Sequence, residues 1–169
     1  MNLRPMIPRP GMTINEGGGW VPWVILALMV SVLALTFTFS WAQAMPDRKL
    51  TPGATSNLTA KQLCDPKFHT STVRKVPPGE KKSVCRAYGI MSGCPGPKWE
   101  LDHDCSIEIG GSNDATNLWP QPIAEARRKD VLENSLHKEV CTGKITLLEA
   151  QQCIVRNWVQ CYQKHIGAL

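Results

Sequence analysis

A chain of 169 residues has room for one folded domain, since domains mostly run to about 100–150 residues, and this argues against a second catalytic domain. The composition is that of an ordinary globular protein except for a charge-free stretch near the start and seven cysteines that all follow it. From residue 45 onward, 17 Lys and Arg face 13 Asp and Glu, a mildly basic balance that suits a polyanionic partner without demanding one.

No charged residue lies between Glu16 and Asp47, and Val21 to Trp41 is mostly Val, Ile, Leu, Ala, Met and Phe. That is long enough to cross hydrocarbon, which takes about 20 apolar residues. Residues 1–44 therefore read as a secretory signal peptide, closed by the peptidase-type Ala42-Gln43-Ala44, or as an uncleaved anchor that meets the membrane through residues 20–42. Both readings make residues 45–169 an exported domain, periplasmic or extracellular, or membrane-anchored outside the cytoplasm. In an oxidising compartment Cys64, Cys85, Cys94, Cys105, Cys141, Cys153 and Cys161 are expected to form disulfides, and the odd count leaves at least one thiol free or paired between chains. Cys153 and Cys161 cannot pair if one helix carries both, because eight residues separate them by about 12 Å. No CxxC knuckle is present, which argues against a structural zinc.

Residues 45–60 are polar, carry Pro and Gly, lack periodicity and read as a flexible tether. The domain then spans 61–169. Pro77-Pro78-Gly79-Glu80 opens a helix of about three turns that stops at Gly89, with Val84 and Tyr88 facing inward and Lys81, Lys82 and Arg86 in water. Trp99 to His103 alternates as a short strand. Ser106 to Ile109 reads as a second extended piece, ended by Gly110-Gly111. A short apolar segment at Leu118-Trp119-Pro120 precedes a helix from about Pro122 to Cys141, whose stripe is Leu132, Leu136 and Val140. A last helix runs from roughly Leu147 to His165, with Ala150, Ile154 and Trp158 on one face. The sum is a small α+β domain.

One run can carry chemistry. Hydrolysis of a phosphodiester needs a base for water, a cation at the leaving oxygen and a group to orient the base. Asp102 is a hard oxygen ligand, and His103 titrates in the range of a general base at neutral pH. Neighbours on a regular strand point to opposite faces, so the two share a site only where the strand ends or bends. Asn117 can hydrogen-bond an imidazole or nearby backbone. On the helix after it, Asp130, Glu133 and His137 are further ligand candidates, and Arg127, Arg128 and Lys129 can contact phosphate. Each also has an ordinary reading: a surface Asp-His pair, a turn Asn, a solvated helix face. No nucleotide loop, dinucleotide fingerprint or serine-hydrolase elbow is present, and no small-molecule cofactor is expected.

The segment DHDCSIEIGGSNDATNLWPQP resembles the DH…LELGG…NLWPQP core of a family of bacterial and phage HNH-like nucleases, and AxxKDxLExxLHxxVC from Ala126 to Cys141 resembles its C-terminal half. With LCDPKFHTSTVR and CPGPKWE upstream, the likeness covers roughly residues 62–158. It implies a ββα-metal fold, in which a hairpin and a helix clasp one divalent ion (Mg, Mn, Ni or Zn) against nucleic acid. His103 would be the base, Asp102 the strand ligand and Asn117 the middle Asn. Glu133, then His137, then Asp130 would supply the helix ligand. Asp104-Cys105 departs from the apolar residues usual after the family's histidine. The expected function is an exported metal-dependent endonuclease cutting DNA, with RNA left open as a further substrate. The alternative is a non-catalytic binding module that keeps the fold.

Overall fold

A computed structural model describes residues 44–169 of the chain. The apolar segment expected to be a signal or anchor lies outside the described residues, and among those described no helix is long and apolar enough to cross a membrane.

Residues 45–60 are packed onto the domain, contrary to the tether expected for them. Thr51 is fully buried and its hydroxyl donates to Leu118 O at 2.8 Å. Thr55 forms a β-bridge with Gly111, and Ser56 N donates to Gly110 O at 2.7 Å. Arg48 pairs with buried Asp104. Such a segment has no apolar period because backbone groups and single polar side chains hold it down, and their partners lie about fifty residues on.

Helix α1 (Ala60–Leu63) starts in a capping box between Thr59 and Gln62, and α2 (Thr70–Val73) follows. Helix α3 (Pro78–Ala87) begins with proline in its first turn and is followed by Gly89 at φ 76°. Strand β1 (Trp99–His103) pairs antiparallel with β2 (Leu118–Pro122), Trp99 opposite Pro122 and His103 opposite Leu118. The second extended piece expected at Ser106–Ile109 is instead a 3-10 turn over Ile107–Ile109. The Ser106 side chain accepts from Glu108 N and Gly110 closes the turn at φ 78°, so local capping overrides the alternation. Gly111 is required sterically: a Cβ there would lie 1.8 Å from Cys105 O.

Helix α4 (Ile123–Cys141) packs on the hairpin and buries Leu132, Leu136 and Val140 against Ile109, Ala150, Ile154 and Trp158. This is a mixed helical domain around a two-stranded antiparallel sheet, α+β, consistent with a small ββα core. A smaller cluster of Val84, Cys85, Leu101 and Leu118 seats α3 on the sheet.

The single last helix expected from Leu147 to His165 is two, α5 (Leu147–Arg156) and α6 (Trp158–His165). Asn157 is extended and its side chain accepts from Gln160 N, starting a new helix at an angle to the old one. Cys153 and Cys161 therefore approach to a Cα separation of 5.5 Å and form a disulfide. The 12 Å argument against this pair required an unbroken helix. Two further disulfides join Cys64 to Cys141 and Cys85 to Cys94, and buried Cys105 is the free cysteine.

Candidate functional site

Pairing runs to the end of β1, so its alternation is kept through His103. Glu100 and Asp102 face α4, where they meet Arg127 at 2.9 Å and Lys129 at 2.8 Å. Leu101 and His103 face the other way, into a cleft of about 390 Å³ lined also by Arg74, Lys75, Pro77 and Lys81. Asp102 and His103 thus lie on opposite faces and do not share the site expected of them, because the strand neither ends nor bends before His103.

His103 is almost fully buried, and the Asn113 carboxamide approaches its ring at 3.3 Å from Nε2. Asn113 Nδ2 donates to Val73 O at 2.7 Å while its Oδ1 accepts from Lys75 N at 3.2 Å. These two backbone partners fix the amide orientation, so Oδ1 faces the ring, Nε2 carries the proton and Nδ1 holds the lone pair. No protein donor reaches Nδ1. Burial, reinforced by the Arg74 charge, lowers the His103 pKa to about 4, against the opposing pull of Asp102. The imidazole is neutral at neutral pH, with a buried, unpartnered acceptor beside a cationic cleft.

Of the two partners open to Asn117, an imidazole or nearby backbone, it takes the backbone. Fully buried, it donates from Nδ2 to Cys105 O and Ser112 O and accepts at Oδ1 from Cys105 N, tying the loop between the strands. Asn113 orients His103 in its place.

The expected metal ligands do not converge. Lys129, expected to meet phosphate, is fully buried between Asp102 and Glu133, with Nζ 2.7 Å from His103 O. Burial alone would lower its pKa, but the Asp102 and Glu133 carboxylates hold it above the ordinary lysine value. Glu133 spends its other oxygen on Ser106 Oγ at 2.8 Å, and burial raises its pKa despite Lys129. Asp130 is half-exposed and paired with Arg127 at 3.0 Å, and Arg128 is exposed. His137 turns Nε2 to Leu63 O at 3.1 Å. No three of Asp102, Asp130, Glu133 and His137 bring donor atoms within 4.8 Å of one another. An ammonium already fills the space between the two carboxylates, so these residues as arranged do not fit the divalent ion that the resemblance implies.

Sulfur and imidazole do cluster twice, at Cys64, His137 and Cys141 and at Cys153, Cys161 and His165. Such groups can hold a metal, but each pair of sulfurs here is joined in a disulfide, so thiolate ligation requires reduction first.

Arg74, Lys75, Lys81 and Asn113 are the site residues that the sequence does not announce. Arg74 and Lys75 lie in the connection after α2 and Lys81 on α3, where basic residues ordinarily read as solvated, and Asn113 sits in a loop rich in turn formers. Comparison with protein-family models, with curated proteins and with solved structures finds no match for this chain.

Proposed function

We propose that the chain is an exported endonuclease of the HNH type that hydrolyses phosphodiester bonds of DNA, and of RNA through the same cleft. The observation that carries this reading is a neutral histidine whose Nδ1 is buried and unpartnered, beside a cleft lined by Arg74, Lys75 and Lys81. Three side-chain cations suit a polyanionic backbone, and a base with its lone pair free suits activation of water. The ββα order of β1, β2 and α4 and the three disulfides support the fold and the oxidising compartment of the same reading.

In the proposed reaction the cleft opens far enough for a water to reach the buried His103 Nδ1, and that water attacks phosphorus while its proton passes to Nδ1. The bond from phosphorus to the leaving oxygen breaks, and that oxygen takes its proton from solvent. Asn113 holds Nε2–H throughout and keeps the lone pair in place. Arg74, Lys75 and Lys81 offset the charge that builds on the phosphoryl oxygens.

A second reading, a non-catalytic nucleic-acid-binding module, is favoured by one observation: Lys129 saturates the carboxylates that would otherwise take an ion. Supercoiled plasmid incubated with the full-length chain in detergent separates the two, with Mg²⁺, Mn²⁺, Ni²⁺ or Zn²⁺ and with chelator. The expected outcome is nicking that falls about 10²-fold or more in His103→Ala. Binding without nicking under every condition, or a His103→Ala variant as fast as wild type, establishes the module instead.

A further inference from the structure

A second cavity, of about 280 Å³, lies between the α2 region and α4, lined by Phe68, His69, Ser71, Glu108, Asn134 and His137. It holds two imidazoles and a carboxylate, a donor set that suits a divalent cation of the zinc class. We propose that His69, Glu108 and His137 form a metal-binding site in this cavity, separate from the Asp102–Lys129–Glu133 cage.

Two features point to a cation. Oε2 of Glu108 is buried and accepts no hydrogen bond, an arrangement that costs free energy unless a positive ligand satisfies it. His137 donates from Nε2 to Leu63 O at 3.1 Å, which leaves the lone pair on Nδ1. A ligating histidine is characteristically oriented in this way, by a carbonyl that takes its other N–H. The Cys64–Cys141 disulfide fastens α1 to the end of α4 beside His137 and so fixes that backbone.

His69 is the adjustable member. It precedes α2 as an exposed N-cap whose side chain makes no capping bond. The three donors are not within 4.8 Å of one another as they stand. Closing the site requires side-chain movement, and the exposed His69 ring, with no capping bond to break, is the group free to make it. Metal binding here does not depend on whether the His103 cleft hydrolyses anything, so its test stands apart from the plasmid assay.

The test is equilibrium dialysis of the oxidised full-length chain against Zn²⁺, with bound metal quantified per chain. One ion per chain is expected, bound roughly tenfold or more weakly by His69→Ala and by Glu108→Gln and unchanged by Asp130→Asn. His69 is exposed and Glu108 is half-buried and unpaired at Oε2, so neither substitution removes a structural bond, and circular dichroism confirms that each variant is folded. Co²⁺ in place of Zn²⁺ gives an independent reading, since a site of nitrogen and oxygen donors lacks sulfur-to-metal charge-transfer absorption. Absence of binding overturns the proposal. Binding only after reduction, with charge-transfer absorption, moves the ion to Cys64 and Cys141 and overturns it too. So does affinity unaltered by both His69→Ala and Glu108→Gln.

Discussion

His103 and Lys129 sit on the two faces of the hairpin and do opposite things with charge. Burial and Arg74 keep His103 neutral, with a pKa lowered to about 4. A general base works only unprotonated, so cleavage is expected to hold level from neutral pH down through about pH 5 and to fall as the ring protonates near pH 4. An initial-rate profile measured alongside a folding probe checks this, and a break near the ordinary histidine value of about 6.5 contradicts it. Lys129 is buried as a cation between two carboxylates, and removing one partner of such a group leaves the rest unpaired. Lys129→Met is expected to cost about 3–5 kcal/mol in urea denaturation at neutral pH. A change below about 1 kcal/mol would show that the cage contributes little. Asp102 and His103 are legible in the sequence as candidates. That they point apart is not, because the spacing of two neighbours says nothing of how far strand pairing extends.

At the scale of elements, local rules read well where one face is buried. The four-residue recurrence of Leu132, Leu136 and Val140 locates α4 and its buried side, and the Pro77-Pro78 start and Gly89 stop locate α3. They read poorly where a cap interrupts a period. Ala150, Ile154 and Trp158 keep helical spacing across Asn157, although Asn157 followed by Gln160 is itself a start signal that the apolar spacing obscured. The break brings Cys153 to Cys161 and completes the set of three bridges. In the chain-entropy account a bridge stabilises more the longer the loop it closes. Cys64–Cys141 spans 77 residues and Cys85–Cys94 only 9. Replacing the first pair by Ser is expected to cost about 4.5 kcal/mol and the second about 2.5 kcal/mol, measured as shifts in urea midpoint. An inverted order would locate the stabilisation in local packing around α3 rather than in loop closure.

Over the whole molecule, the cysteines tie the compartment to the fold. Six are paired, and Cys105 is buried with its thiol pushed up to about 12 by burial, which keeps it unreactive. Alkylation of native, non-reduced protein is expected to label nothing, and alkylation after denaturation to label Cys105 alone by mass spectrometry. More than one labelled residue would contradict the three bridges. The sequence by itself determined what contiguous residues can encode: an α+β domain, the span of β1 and α4, a buried helix stripe and an odd thiol, with Asp102, His103 and Asn117 only as candidates. Tertiary structure alone decided which side chains meet. Arg48 with Asp104, Arg74 beside His103, Asn113 between Val73 and the imidazole, and Lys129 against Asp102 are pairings across tens of residues. Local propensity and periodicity act within a few turns of chain, whereas these contacts exist only once the hairpin, α4 and the segment of residues 44–60 have closed on one another.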